Sequence, residues 1–177
     1  MSKAKKINFE LIPEDTPPYK LLERVRKHHE PTADAVISLA WWMEVATDKD
    51  GHTALGKCVK SSDLQRELHN TDFVILLNRE IWEDAEFTDD KRRALLDHEL
   101  SHAAVATDSE GAQRFDDSGR PVWRIRKHDI EEFQAVVHRH GCWKRDLEVF
   151  ADALTRKKRT PLFNGAEPKE SPADRVQ

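Results

Sequence analysis

Two histidines and a glutamate occur together at a spacing that suits metal chemistry. The chain contains His98-Glu99-x-x-His102, in which the histidines are four residues apart. On an α-helix, positions i and i+4 lie about 40° apart around the axis and about 6 Å apart along it, so both imidazoles can reach one ion. Glu99 lies too far around the helix to join them as a ligand, but close enough to act on a water at the metal. The pattern predicts a zinc site with Glu99 as general base, as in metallopeptidases.

The residues around this motif predict the helix that positions it. Thr88 is followed by two aspartates, which is typical of a helix N-terminus, because a hydroxyl cap and early acidic residues satisfy free N–H groups and the helix dipole. Apolar residues fall on the side opposite the histidines. They are Leu96, Leu100 and Ala103. We therefore expect a helix from Thr88 to about Ala106 that packs one face on a core and turns its histidines toward a cleft.

A site with two histidines needs a third protein ligand. His128 lies at the start of the next predicted helix and is the preferred candidate. Glu131 and Glu132, one turn into that helix, are the alternatives, and Asp129 could orient a ligating imidazole from outside the coordination shell. The predicted cofactor is Zn²⁺, with a water in the fourth position.

Several segments of the chain together resemble the putative phage metallopeptidase family. They are Asp97-His-Glu-Leu-Ser-His102, His128-Asp-x-Glu-Glu-Phe133, Arg139-His-Gly-Cys-Trp143, Asp72-Phe-Val-Ile75 and Trp82. The resemblance covers roughly residues 20–155 and implies a zincin-type fold and a phage or prophage origin. The helix with its downstream histidine is also similar, more distantly, to SprT-like proteases, in which such a histidine completes a three-histidine site. That similarity implies the same role for His128.

The rest of the chain predicts an α+β, zincin-like fold. Three apolar runs, over 35–46, 53–59 and 72–78, predict a small antiparallel sheet beside the zinc helix. The run at 73–77 could act as an edge strand that pairs with a substrate backbone, or it could be an ordinary buried strand. Residues 111–126 predict a hairpin, and two C-terminal helices are expected over about 130–140, ending at Gly141, and 143–157.

Length and composition limit the organisation of the chain. With 177 residues we expect one domain with tails. We assign a flexible N-terminal arm to residues 1–18, the metallopeptidase domain to 19–157 and a disordered tail to 158–177, because both ends are polar and proline-containing. No apolar run approaches the roughly 20 residues of a membrane span. The two cysteines form no disulfide framework, which favours the cytoplasm, that of the host if the protein is phage-encoded.

These patterns favour zinc-dependent hydrolysis of a protein or peptide substrate. The alternative is a zinc-stabilised interaction module that binds a host factor and cleaves nothing. A third hypothesis is nucleic-acid binding through the arginines of the predicted hairpin, but a net charge of −4 argues against binding by bulk charge. An intact Glu99 favours the enzyme, since a purely structural zinc site has no need of a carboxylate there.

Overall fold

The computed structural model of the protein describes residues 8–131, 134–143 and 145–156. The chain divides into two compact units, residues 1–127 and 128–177. The first contains six strands and four α-helices among its described residues. They are β1 (Phe9–Leu11), α1 (Pro17–Arg26), β2 (Ile37–Trp42), β3 (Gly56–Lys60), α2 (Asp63–His69), β4 (Phe73–Asn78), α3 (Arg79–Glu83), α4 (Asp89–His102), β5 (Ala103–Val105) and β6 (Trp123–Ile125).

The main sheet of the first unit is mixed, with strand order β1-β2-β4-β3. β4 lies between β2 and β3, parallel to the first and antiparallel to the second. The prediction of an antiparallel sheet is therefore wrong at its central pair. Asp72 explains the parallel pairing, because its backbone N–H donates to the Val36 carbonyl at 2.7 Å and its carboxylate accepts from the Val36 N–H at 2.8 Å. These bonds fix the start of β4 beside the start of β2.

β1 lies at one edge of this sheet, in the segment assigned by sequence to a flexible arm. Its residues pair antiparallel with β2, and the ring of Phe9 lies 6.4 Å from that of Trp42. Ile12, just after the strand, is buried. Residues 9–12 are thus part of the fold because backbone pairing and one buried side chain hold them, although the segment is polar and too short to predict as a strand.

The core of the first unit combines strand and helix side chains. Phe73, Ile75 and Leu77 of β4 are fully buried and share one cluster with residues of α1, β2 and α4. The alternate residues of β4 point to the other face of the sheet, as the two-residue period of a strand requires. α4 contacts both α1 and β3, so the helix that carries the HExxH motif packs directly on the sheet.

The segment after α4 returns the chain to the end of that helix. The helix was expected to reach about Ala106 but ends at His102, because residues 103–105 pair with β6 as strand β5. The predicted hairpin is present, with Asp116 N–H bonded to the Arg120 carbonyl at 2.9 Å. Two successive turns share the form Asp-x-x-Gly, at 108–111 and 116–119, and both glycines have positive φ. This eight-residue repeat was missed from the sequence.

The second unit contains α5 (Gln134–His140) and α6 (Arg145–Arg156). Gly141 follows α5 with φ of 65°, as predicted for a left-handed helix end. The apolar stripe of α6 is half exposed, since Leu147 is buried whereas Phe150 and Leu154 are 51% and 57% exposed. The predicted tail, 158–177, lies outside the described residues. Within the described residues, no helix combines the length and apolar character needed to cross a membrane.

Candidate metal centre

Helix α4 is held by its N-cap, by packing on the core and by one side-chain contact near the HExxH motif. The Thr88 hydroxyl accepts the Lys91 N–H at 3.4 Å, which confirms the predicted N-cap. Leu95, Leu96 and Leu100 are buried on the core side. His29, in the segment after α1, bonds through Nε2 to Asp97 Oδ1 at 2.7 Å. The turn that carries His98 and His102 is therefore fixed by packing on one side and by this contact on another.

Three histidines lie close enough together to hold a metal ion. The rings of His98 and His102 have centroids 5.1 Å apart and planes at 84°. His128 follows Lys127, the last residue of the first unit, directly in the chain. One potential ligand atom from each of the three side chains lies within 4.8 Å of the others. The group is partly open, because His98 and His128 are exposed and His102 is half-buried.

The chemistry of His102 suits a metal ligand. Its Nδ1 lies 2.8 Å from the backbone carbonyl oxygen of Arg126. A carbonyl can only accept, so Nδ1 must carry the proton, and the unprotonated Nε2 is the ring nitrogen that can act as a metal ligand. Such a bond to the second ring nitrogen fixes the tautomer and orientation of ligating histidines. His102 is thus prepared for coordination before any ion binds.

Glu99 points away from solvent and toward strand β3. It is only 4% exposed, and the backbone N–H of Cys58 donates a hydrogen bond to its carboxylate. Burial raises the pKa of Glu99, while the electrostatic influence of His102 and the Cys58 hydrogen bond act in the opposite direction. A carboxylate with a raised pKa next to metal-ligand candidates has the character of a general base or acid.

Two glutamates were the alternatives to His128 as third metal ligand. Glu131 is exposed, and it is not part of the histidine group found among the described residues. Glu132 lies outside the described residues. The assignment of His128 as third ligand and of Asp129 as an outer-shell partner remains a prediction.

The proposed edge strand was misplaced. β4 is flanked by β2 and β3, so its backbone cannot pair with a substrate. The edge-strand alternative for residues 73–77 is wrong, and the segment is the buried strand that was the other alternative. The reason is that β4 inserts between the two strands that precede it in the chain. The edge strands of this sheet are β1 and β3, and β3 is the one that Glu99 contacts through Cys58.

The arginines of the predicted hairpin make contacts within the protein. Arg120 pairs with Asp116 at 3.0 Å and with Glu67 at 3.1 Å, and Arg124 Nε donates to the Val105 carbonyl at 3.1 Å. These side chains therefore have a structural role on the hairpin.

Gly56 and Cys58 were missed as site residues. Their signal in the sequence was a glycine inside the apolar run 53–59, since a glycine within a strand pattern marks a place where another group approaches the backbone closely. Sequence reasoning could not say that the approaching group would be Glu99, because 43 positions separate Gly56 from it (99 − 56 = 43).

Comparison with known families supports the metal centre. A family model described as "Putative phage metallopeptidase" matches residues 14–154 of the 177. The chain belongs to this family. Comparison with curated proteins and with solved structures gave no match. The family name indicates a metal-dependent peptidase, and it therefore implies a metal cofactor and protein or peptide substrates.

Proposed function

We propose that this member of the phage metallopeptidase family is a zinc-dependent peptidase, with His98, His102 and His128 as ligands and Glu99 as general base. The observation that carries the proposal is the convergence of three imidazoles, two of them on the turn of α4 that also bears a buried carboxylate. A carboxylate is costly to bury in a fold. Its presence here is explained if it serves catalysis.

The donor set fits zinc. Three neutral imidazoles are a common set for catalytic zinc, which keeps its fourth position for water or substrate. The hydrogen bond from His102 to the Arg126 carbonyl supports this fit, because it places the proton on Nδ1 and makes Nε2 the nitrogen with ligand character. When bound, a zinc ion would lower the pKa of its water toward about 7 and polarise the carbonyl of the scissile peptide bond.

The residues of the chain then supply the proton transfers. Glu99 accepts a proton from the attacking water and passes it to the nitrogen of the leaving amine. Its raised pKa favours this double role, because a carboxylate that is a stronger base than usual takes the proton more readily at neutral pH. The Cys58 N–H holds the carboxylate in place while it is ionised.

Strand β3 is suited to bind the substrate backbone. It borders the sheet, with β4 as its neighbour. An extended peptide can add to an exposed sheet edge through main-chain hydrogen bonds. Because β3 also contacts Glu99, a peptide bound along it would lie beside the general base.

The test compares host cells that express the wild type with cells that express Glu99→Gln, by mapping new protein N-termini. We expect new termini in the wild type alone, since the amide of the variant cannot accept the proton. Purified Glu99→Gln should retain zinc, whereas His98→Ala should lose both zinc and cleavage. If wild type and Glu99→Gln gave the same termini, the peptidase proposal would fail, and a zinc-stabilised interaction module would become the better explanation.

A further inference from the structure

Strand β3 has a glycine at the place where the Glu99 carboxylate approaches it. A Cβ atom at Gly56 would lie 2.9 Å from Oε1 and 3.2 Å from Cδ of Glu99. Both distances are well below ordinary van der Waals contact between carbon and these atoms. Any side chain at position 56 would therefore push the carboxylate out of its present position or force the strand to shift.

The glycine is needed for space and not for its backbone conformation. Four other described glycines have positive φ and open space around the position of a Cβ atom: Gly51, Gly111, Gly119 and Gly141. Gly56 is the reverse case, since its φ is not in the left-handed region and a Cβ would meet close neighbours. An alanine could adopt its backbone geometry, so the missing side chain is the property that matters.

Gly56 and Cys58 act on the same carboxylate. Gly56 leaves the room for it, and the Cys58 N–H, two residues further along the same strand, donates a hydrogen bond to it. The Glu99 side chain has few other ways to satisfy its oxygens, because it is 4% exposed. Space and hydrogen bond together define one position for the carboxylate.

We propose that Gly56 is a positioning residue for the general base. Because Gly56 has no side chain, strand β3 leaves the space that the Glu99 carboxylate occupies and so sets its location. The inference rests on the proposed function for its catalytic consequence. The contact itself can be tested without any activity. A second explanation has to be separated from it, because a Cβ at position 56 would also lie 3.1 Å from the Leu76 carbonyl oxygen on β4.

The first experiment is a double-mutant cycle, measured by thermal unfolding of the full, metal-free chain. Gly56→Ala should lower the melting temperature by roughly 5 °C, as expected for an overpacked site in a protein of this size. In the Glu99→Ala background, the same substitution should cost less than half of that shift, because the carboxylate is gone. Lys57→Ala, at an exposed neighbouring position on β3, is the control and should cost the same small amount in both backgrounds.

An equal loss in both backgrounds would overturn the proposal, because it would assign the whole cost of Gly56→Ala to the Leu76 carbonyl. This outcome does not depend on whether the protein cleaves anything. If the wild type produced no new termini in the mapping experiment, the proposed function would fail, while the thermal cycle would still decide whether Gly56 positions Glu99.

The second experiment measures catalysis on a peptide that carries a cleavage site found by terminus mapping. For zinc-loaded Gly56→Ala we expect kcat to fall tenfold or more, with KM and the zinc dissociation constant within about threefold of wild type. A merely structural glycine would reduce the amount of folded enzyme without changing kcat per zinc-loaded molecule. Wild-type kcat in Gly56→Ala would therefore contradict a positioning role.

Discussion

His102 and Arg126 are joined by a pair of hydrogen bonds in opposite directions. The Arg126 N–H donates to the His102 carbonyl at 2.7 Å, and the His102 ring donates from Nδ1 to the Arg126 carbonyl at 2.8 Å. The first bond satisfies a carbonyl at the C-terminus of α4, where the helix leaves such groups without partners. The second orients the imidazole. These two bonds join the end of α4 to the segment that leads to His128.

This pairing predicts a difference between two substitutions at position 126. Arg126→Pro removes the backbone N–H, so residue 126 loses its bond to the end of α4 and its carbonyl is no longer held beside the His102 ring. Zinc binding should therefore weaken by roughly 10-fold to 100-fold, the range for partners that orient a ligating histidine. Arg126→Ala keeps both backbone groups and should stay within about threefold of wild type. Zinc titration against a competing chelator measures both. Wild-type affinity in Arg126→Pro would show that the pairing does not control the metal centre.

The identity of the third ligand can be decided by metal content. We expect His128→Ala to lose zinc affinity by tenfold or more, because its ring nitrogen lies within 4.8 Å of ligand atoms of His98 and His102. Glu131→Ala and Glu132→Ala should each lose less, as outer-shell changes do. The measurement is zinc per protein after dialysis at fixed free zinc. A stoichiometric site in His128→Ala, with an empty site in either glutamate variant, would move the third ligand to that carboxylate.

The two cysteines should differ in reactivity. Cys58 is buried beside Glu99, and burial together with that negative charge raises the pKa of its thiol from 9.0 to about 12. Cys142 is exposed. An alkylating reagent at pH 8 should therefore modify about one thiol per folded chain, since the thiolate is the reactive form. Mass spectrometry should find the label on Cys142, and Cys142→Ser should abolish it. Rapid labelling of Cys58 would contradict its burial.

The same pKa shift gives a stability effect of known sign. The folded state holds the Cys58 proton more tightly than the unfolded chain, so the stability from this group is present below pH 9 and is lost as the pH rises toward 12. Cys58→Ala should remove this contribution to the loss of folding stability at alkaline pH. Urea unfolding at a series of pH values measures the free energy of unfolding of both proteins. If the variant lost as much stability at alkaline pH as the wild type, the loss would belong to other groups.

A largely buried ion pair of the first unit should contribute strongly to the free energy of unfolding, whereas a neighbouring exposed pair should contribute little. Arg66 Nε lies 2.8 Å from Asp72 Oδ1, with the side chains 13% and 12% exposed. Arg66→Ala leaves Asp72 as an uncompensated charge and should cost about 3 kcal/mol of unfolding free energy. Glu67→Ala breaks the exposed pair with Arg120 and should cost less than about 1 kcal/mol. Urea denaturation compares them, and equal losses would refute the distinction.

Features that depend on near neighbours in the chain could be predicted from the sequence. The i, i+4 spacing of His98 and His102 fixes their common side once a helix forms, and Thr88 caps that helix through a bond three residues away. Gly141 ends α5 for a similarly local reason, since glycine tolerates the left-handed conformation. Family membership also followed from short motifs, and the match over residues 14–154 confirms it.

The tertiary structure alone decided which strands are neighbours and what surrounds Glu99. β4 inserts between β2 and β3. The bonds of Asp72 to Val36 that align it with β2 join residues 36 positions apart, a contact that no local pattern encodes. The same insertion leaves β3 at the edge. Gly56 and Cys58 of that strand then meet the carboxylate of Glu99. Strand order is set by the burial of whole faces and by pairing between distant segments, and side-chain periodicity reports only which face of each strand is apolar.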